Sequence, residues 1–285
     1  MSSCEYAHER PTLTGVVTRF VARARYLGGM WLFALPAFAS ADDLRAALDR
    51  CSGALHPLPA LSAEQRGALA AGEVVRIVHH GDPEAPSTAV GIALLDGGRD
   101  GLWIAAQDPH TQVDPSLVEF VVEDLGADHA VWYGHLDLPW PIKDRQWVVE
   151  SRNTHRLATS TADGCWEHTW KLVPDGLSRV RPFVERGTAR GITTEALDEA
   201  VYTPVNEGSW LMAPLPDGRV LVSYQATSVV GGAIPDSLVL QLTMSRLESV
   251  LRSLEERAKT WSPTHYTAEH AGVPGGAGAP IARFP

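Results

Sequence analysis

The stretch GSWLMAPLPDGRVLVSYQATSVVGGAIPDSLVLQL, residues Gly208 to Leu242, decides how the chain is read. It holds two runs rich in β-branched and aromatic residues, SWLMAPL and RVLVSYQATS, separated by Pro216-Asp217-Gly218. That tripeptide is turn chemistry, so the two runs form an antiparallel strand pair. Gly231 and Gly232 follow, able to take positive φ in a close turn, and Pro235 suits the first turn of a helix. From Asp236 the apolar residues fall at Leu240, Met244, Leu247, Leu251 and Leu254, in steps of four, three, four and three. Arg246, Arg252, Glu255 and Glu256 occupy the rest of the wheel. A long amphipathic helix, its seam turned to the sheet, ends the domain.

Upstream, ADDLRAALDRC and SAEQRGALAAG read as short helices, the second capped by Ser62 and ended by Gly72. EVVRIVHH, STAVGIALLDG and GLWIAAQD then alternate like strands. DPSLVEFVVEDLG reads as a helix lying on the sheet, with Asp114 as N-cap, Pro115 in the first turn, and Leu117, Phe120, Val121 and Leu125 on one face. HAVWYGHLDL, RQWVVESRNTH and CWEHTWKLV are further strands, and a polar segment leads to the strand pair. The fold class is therefore α+β: a curved antiparallel sheet wrapped around a long C-terminal helix, with room between them for a hydrophobic cavity. Residues 42–72 form a helical lead-in and 73–260 the domain. From Ser262 the tail SPTHYTAEHAGVPGGAGAPIARFP is rich in Gly, Ala and Pro without apolar period, so 262–285 is expected to be disordered and dispensable.

Composition narrows the partners. The 285 residues are 45% hydrophobic and 20% charged, with 24 Lys and Arg against 34 Asp and Glu, a net charge of −10. No basic cluster exceeds a pair, so a polyanion is repelled and nucleic acid is not expected. No run of about twenty apolar residues is present for a membrane-spanning helix. At the N-terminus Arg19, Arg23 and Arg25 precede YLGGMWLFALPAF and then Ala39-Ser40-Ala41, the pattern of a secretory signal over 1–41. The alternatives are an uncleaved membrane-associated segment or an amphipathic presequence. A cleaved signal implies an exported, periplasmic or extracellular protein. Cys51 and Cys165 would then meet oxidising conditions, although two cysteines so far apart are expected to be separate buried thiols.

Two places carry a family resemblance. LPWPIKDRQWVV, residues 138–149, resembles the START family of lipid-transfer domains, where a proline, aromatic, proline corner leads to an arginine and an aromatic strand. The strand pair followed by Gly231-Gly232, Ile234-Pro235 and the terminal helix resembles that family's end. VDPSLVEFVVEDL, where the family has a helix, is a third and weaker match, and together the matches span about Val113 to Thr260. Gln146-Trp147 departs from the acid and aromatic usual after the arginine. The tryptophan and aspartate usual after the inserted helix are also missing. The resemblance implies a helix-grip fold with a ligand cavity, and a mobile loop at the glycine pair covering it.

The corner also has a plain physical reading. Pro139 and Pro141 remove two backbone donors and turn the chain at the sheet edge, and Trp140 is expected to bury its ring against the sheet. Arg145 either pairs with a carboxylate such as Asp144 or Asp137 or faces the cavity to meet a polar head. His79-His80, Asp108–His110, His135–Asp137 and Trp166–Trp170 are the histidine-rich places. None has H-x-x-x-H or H-E-x-x-H spacing, C-x-x-C and phosphate-loop patterns are absent, and neither metal nor cofactor is expected.

Two classes of function remain: a noncatalytic binder or carrier of a lipid or other hydrophobic small molecule, and a cyclase, aromatase or hydrolase on the same scaffold. A third option is a sensor or partner protein whose cavity is too small to be occupied. A carrier predicts an almost wholly apolar pocket. An enzyme predicts convergent titratable groups, for which His135, Arg145, Glu167 and His168 are the candidates. The expected ligand-binding residues are Trp132, Arg145, Trp147, Trp170, Met212, Tyr224, Leu240, Met244, Leu247 and Leu251. A monomer making transient contact with a membrane surface completes the expectation.

Overall fold

Two short capped helices open the described part of the chain. In α1 (Ala41–Arg50) the Ser40 hydroxyl accepts from Asp43 N while the Asp43 carboxylate accepts from Ser40 N, a reciprocal cap. Ser62 and Gln65 do the same for α2 (Ala63–Ala70), and Gly72 follows at φ 85°. This computed structural model describes residues 40–80, 85–108, 116–126, 128–189, 191–232, 234–270 and 272–284. The signal-like segment thus lies outside the described residues except for its last two, and Asp114 and Pro115 also fall outside them.

The strands are β1 (Val75–His79), β2 (Thr88–Leu95), β3 (Leu117–Gly126), β4 (His129–Leu136), β5 (Arg145–Asn153), β6 (Trp166–Leu172), β7 (Val201–Tyr202), β8 (Val205–Pro214) and β9 (Val220–Val229). They form one sheet in the order β1-β2-β9-β8-β6-β5-β4-β3, every neighbour antiparallel, with β7 added parallel to β5. The remaining helices are α3 (Arg99–Gln107), α4 (His155–Ser160), α5 (Leu177–Glu185), α6 (Thr194–Glu199) and α7 (Asp236–His265). The α+β helix-grip arrangement expected from the sequence is present, with α7 laid on one face of β1, β2 and β9.

The face away from α7 is packed at its two ends, while Lys171, Arg152, Glu150 and Glu207 keep its middle in water. Under α1 and α2 it is filled by Val90, Ile92, Leu94, Leu211 and Leu221, and under α5 and α6 by Val122, Val131, Tyr133 and Val148. Residues 42–72 therefore close a core rather than merely precede one. Cys51, just beyond α1, forms a disulfide with Cys165 at the head of β6, with 5.6 Å between Cα atoms. This corrects the expectation of separate thiols: α1 packs on β8 next to β6 and brings the two cysteines together.

Two elements exchange type relative to the sequence reading. GLWIAAQD, read as a strand, is α3; Leu102, Trp103, Ile104 and Ala105 are all buried between sheet and α7, and a helix enclosed on every side shows no polar stripe. DPSLVEFVVEDLG, read as a helix, contains β3. Register shifts at Val121/Glu123 and Asp124/Gly126 break the two-residue alternation and leave apolar residues at helix-like spacing. The weakest of the three resemblance matches, which rested on that helix, therefore falls. The polar segment before β8 holds α5, α6 and β7, which the sequence reading left without structure.

The tail is packed as well. α7 runs to His265, Ser262 is buried with its hydroxyl donating to Gly101 O at 3.0 Å, and Tyr266 and Ile281 are buried beyond it. The glycines of the segment expected to be disordered have a steric reason. A Cβ at Gly275 would stand 2.8 Å from Trp166, and one at Gly276 would overlap the same indole. Only bare backbone can lie that close to the ring.

Candidate functional site

The face of the sheet toward α7 is not packed out beside β3 to β6, where side chains keep accessible surface. By register, Trp170 of β6 lies beside Ser151 of β5, and Val149 beside Trp132 of β4. Trp147 lies beside Gly134, and Glu119 of β3 completes that row. Trp132, Trp147, Trp170 and Tyr224 all point to this side and all keep accessible surface, whereas Tyr133, Val148 and Val131 on the opposite side keep none. Large aromatic residues turned inward yet not packed out define a chamber wall. Gly134 leaves the space in which the Trp147 indole lies, and Gly208 does the same for Trp170. Trp170 stacks on Tyr224 at 5.7 Å between centroids, Tyr224 meets Trp210 at 4.5 Å, and Trp170 Nε1 donates to Asn206 Oδ1 at 3.1 Å.

Four titratable groups with displaced pKa values share this side. Glu119 is an exposed residue on this side of β3. Desolvation pushes its pKa up to about 7, against the pull of the Arg257 guanidinium on α7. Burial in turn lowers Arg257, with Glu119 opposing, and raises the Tyr224 phenol to about 12. His168 lies 2.8 Å through Nδ1 from Asn153 Oδ1, and desolvation lowers its pKa to about 4. The chamber is therefore aromatic with a titratable minority, not wholly apolar.

The remaining predicted residues fall elsewhere. Met212 is fully buried among the residues around α3, and Leu247 and Leu251 press on Gly91 of β2, so all three are core rather than chamber. Met244 is half-buried. Leu240 lines a cleft of about 270 Å³ with Val239, Thr243, Ala89, Ala226 and Ser228 where α7 begins. Arg145 faces the α7 side at the rim but meets neither a carboxylate nor a vacant chamber. Its Nε donates to Val230 O at 2.8 Å and its Nη2 to Gly231 O at 3.1 Å, while Nη1 donates to Lys143 O and Asp144 O. It thereby clamps the glycine loop between β9 and α7, and the acid-pair expectation is corrected. Trp140, expected to be buried, is 92% exposed, because the corner carries it off the sheet edge.

The titratable candidates do not converge. Glu167 and His168 alternate across β6, so only His168 faces the chamber; Glu167 is fully buried on the other side, accepting from Leu55 N and His56 N at 2.9 Å each. His135 is also on that other side, with Nδ1 3.1 Å from the Tyr133 hydroxyl and Nε2 3.4 Å from Asp137 and Asp144 oxygens. Among the described residues this trio alone has metal-ligating atoms grouped within 4.8 Å. Glu119, Asn153 and Arg257 were missed by sequence reasoning. A lone acid amid Val118, Phe120 and Val121 was the available signal for Glu119, but the helical assignment hid it.

Comparison with known proteins agrees with the fold. No family model matches the sequence. An uncharacterized protein of Pseudomonas aeruginosa is 27% identical over 141 residues, 48% of this chain, and the match spans 58% of that relative's length. Among solved structures, a STAR-related lipid transfer protein fragment from Xanthomonas axonopodis superposes with a TM-score of 0.50 at 19% identity, covering 66% of this chain and 94% of that one. Human STARD10 gives 0.52 at 13% identity, covering 79% and 82%. Human StAR-related lipid transfer protein 5 gives 0.52 at 12%, covering 78% and 97%. The chain thus has a START-like helix-grip fold. At these identities the likeness defines the architecture.

Proposed function

We propose that the protein binds, and carries, a lipid or other hydrophobic small molecule in the chamber between sheet and α7. The observation behind this reading is the aromatic wall of Trp132, Trp147, Trp170 and Tyr224, turned inward with surface still accessible. The START-like fold, shared with proteins described as lipid transfer proteins, supports the same reading. Export is proposed with it: the paired Cys51 and Cys165 suit an oxidising compartment, and the signal-like N-terminus points the same way. A membrane surface is the proposed site of loading. Exposed Trp140 and Ile142 at the corner share the rim with the loop that Arg145 clamps, and exposed Leu238 and Leu242 follow at the start of α7.

Native mass spectrometry of the full-length gene product recovered from an exporting host tests the carrier reading and the export reading together. The expected result is a chain beginning at Asp42, with one co-purifying hydrophobic molecule that organic solvent extracts. A ligand-free mass overturns the carrier, and an intact N-terminus overturns the export. A cyclase- or hydrolase-type enzyme is the second reading, favoured by one observation: Glu119, Arg257, Tyr224 and His168 bring titratable groups with displaced pKa values to one chamber. Recovery of a ligand chemically altered by incubation with the protein supports that reading over the carrier.

A further inference from the structure

This inference rests on the chamber reading and concerns what the chamber accepts. His168 stands on the α7 face of β6 and keeps accessible surface there, with the Trp103 ring edge-on at 6.3 Å. Its Nδ1 is 2.8 Å from Asn153 Oδ1. Asn153 is buried, and its Nδ2 donates to the Pro274 carbonyl at 3.4 Å; the same carbonyl accepts from Trp103 Nε1 at 3.0 Å. A carbonyl can only accept, so the Asn153 amide must turn its nitrogen to Pro274 and its oxygen to His168. The reverse orientation would set two oxygens against each other. Nδ1 of His168 therefore carries the hydrogen, and Nε2 carries a lone pair for which the described residues supply no hydrogen-bond partner.

The anchor of this relay belongs to the C-terminal tail. Val273 N donates to the Tyr266 hydroxyl at 2.8 Å, Ile281 N donates to Val273 O at 2.9 Å, and Gly275 and Gly276 lie on Trp166. Pro274 O is thus fixed between two anchored neighbours. Desolvation keeps the imidazole from gaining a second proton at neutral pH, since its pKa is lowered to about 4.

We propose that His168 Nε2 is a polar contact point of the chamber, an unprotonated acceptor, and that the molecule it receives is an uncharged hydrophobic alcohol or phenol donating its hydroxyl. A carboxylate or phosphate has no hydrogen to give and would set its charge against the lone pair. An ether or hydrocarbon would leave the nitrogen dry and unpaired, which is unfavourable by about one hydrogen bond. Trp210, which pairs with His168 across the strands, and Tyr224, which is tilted against Trp210 and stacked on Trp170, suit a flat or ringed body.

Isothermal titration calorimetry of the full chain with 2-naphthol and 2-methoxynaphthalene tests this, because the two probes differ in whether they can donate. The wild type should bind 2-naphthol roughly 5- to 10-fold more tightly, the ratio one net hydrogen bond gives. His168→Phe, which keeps a ring, and Asn153→Leu, which releases the tautomer, should each abolish the preference. Both should still bind 2-methoxynaphthalene, which shows that they fold. Nitrogen-15 shifts should place the ring hydrogen of His168 on Nδ1. Equal affinities in the wild type, a preference surviving His168→Phe, or a hydrogen on Nε2 overturns the assignment while leaving the chamber reading intact. Failure of the wild type to bind either probe also overturns it, and the co-purification experiment then decides the chamber reading separately.

Discussion

Glu119 sets a carboxyl in a strand of valines and a phenylalanine, and the fold turns it to the α7 side, where desolvation raises its pKa from 4.5 to about 7. The folded protein therefore holds this proton more tightly than the unfolded chain. Between about pH 4.5 and 7 the native state binds more protons, so unfolding becomes easier as pH rises through that window. Glu119→Gln removes the penalty. Its melting temperature should exceed that of the wild type at pH 8, and the difference should vanish below pH 4.5. A difference of the same size at both pH values would show that Glu119 is hydrated and not desolvated. At this scale the sequence was partly legible. The four aromatic residues on the α7 face could be named from strand alternation, since parity alone decides their side. The partners of Arg145 could not be, because backbone carbonyls of a distant loop leave no trace in residue type.

Among the elements, the tail makes the sharpest contrast with its composition. Glycine-rich sequence reads as entropy without reward, yet here Gly275 and Gly276 lie on Trp166 and Gly278 on His155, and Tyr266 and Ile281 are buried as well. A chain ending after His265 should lose roughly 3–6 kcal/mol in urea unfolding, the burial of two large apolar side chains at about 1.5–3 kcal/mol each. An unchanged midpoint would return the tail to the dispensable segment its composition suggests. The exchange between α3 and β3 has a related origin. Periodicity reports one-sided burial, whereas α3 is enclosed all round and β3 carries two register shifts, so each loses the signature of its own geometry. α7, with one face on the sheet and the other in water, kept its signature and was legible as far as Thr260, its last turn to His265 having been read as tail.

For the whole molecule, the order of elements and the two family-like motifs were sufficient to anticipate the sheet and its terminal helix. The disulfide was not legible, because pairing depends on α1 docking across 114 residues of chain. In the loop-entropy picture such a closure adds about 4–5 kcal/mol. The rim bearing Trp140, Ile142, Leu238 and Leu242 gives the molecule one greasy end. Adding phosphatidylcholine vesicles should shift tryptophan emission to the blue, and Trp140→Ala should lose most of that shift. A full shift in Trp140→Ala would remove the corner from the membrane contact.

The pairing of β2 with β9 has a consequence for how the protein is made. Ribosomes release the N-terminal end first, so the β1–β2 hairpin emerges long before residues 220–229 exist to cover its open edge. Pro274, whose carbonyl accepts from Trp103 and Asn153, comes later still. For most of its synthesis the nascent chain exposes a bare strand and an unfilled face, and non-local closure of this kind is slow and prone to aggregation. Yield in a foreign host should therefore depend on holding chaperones more than on the stability of the finished fold.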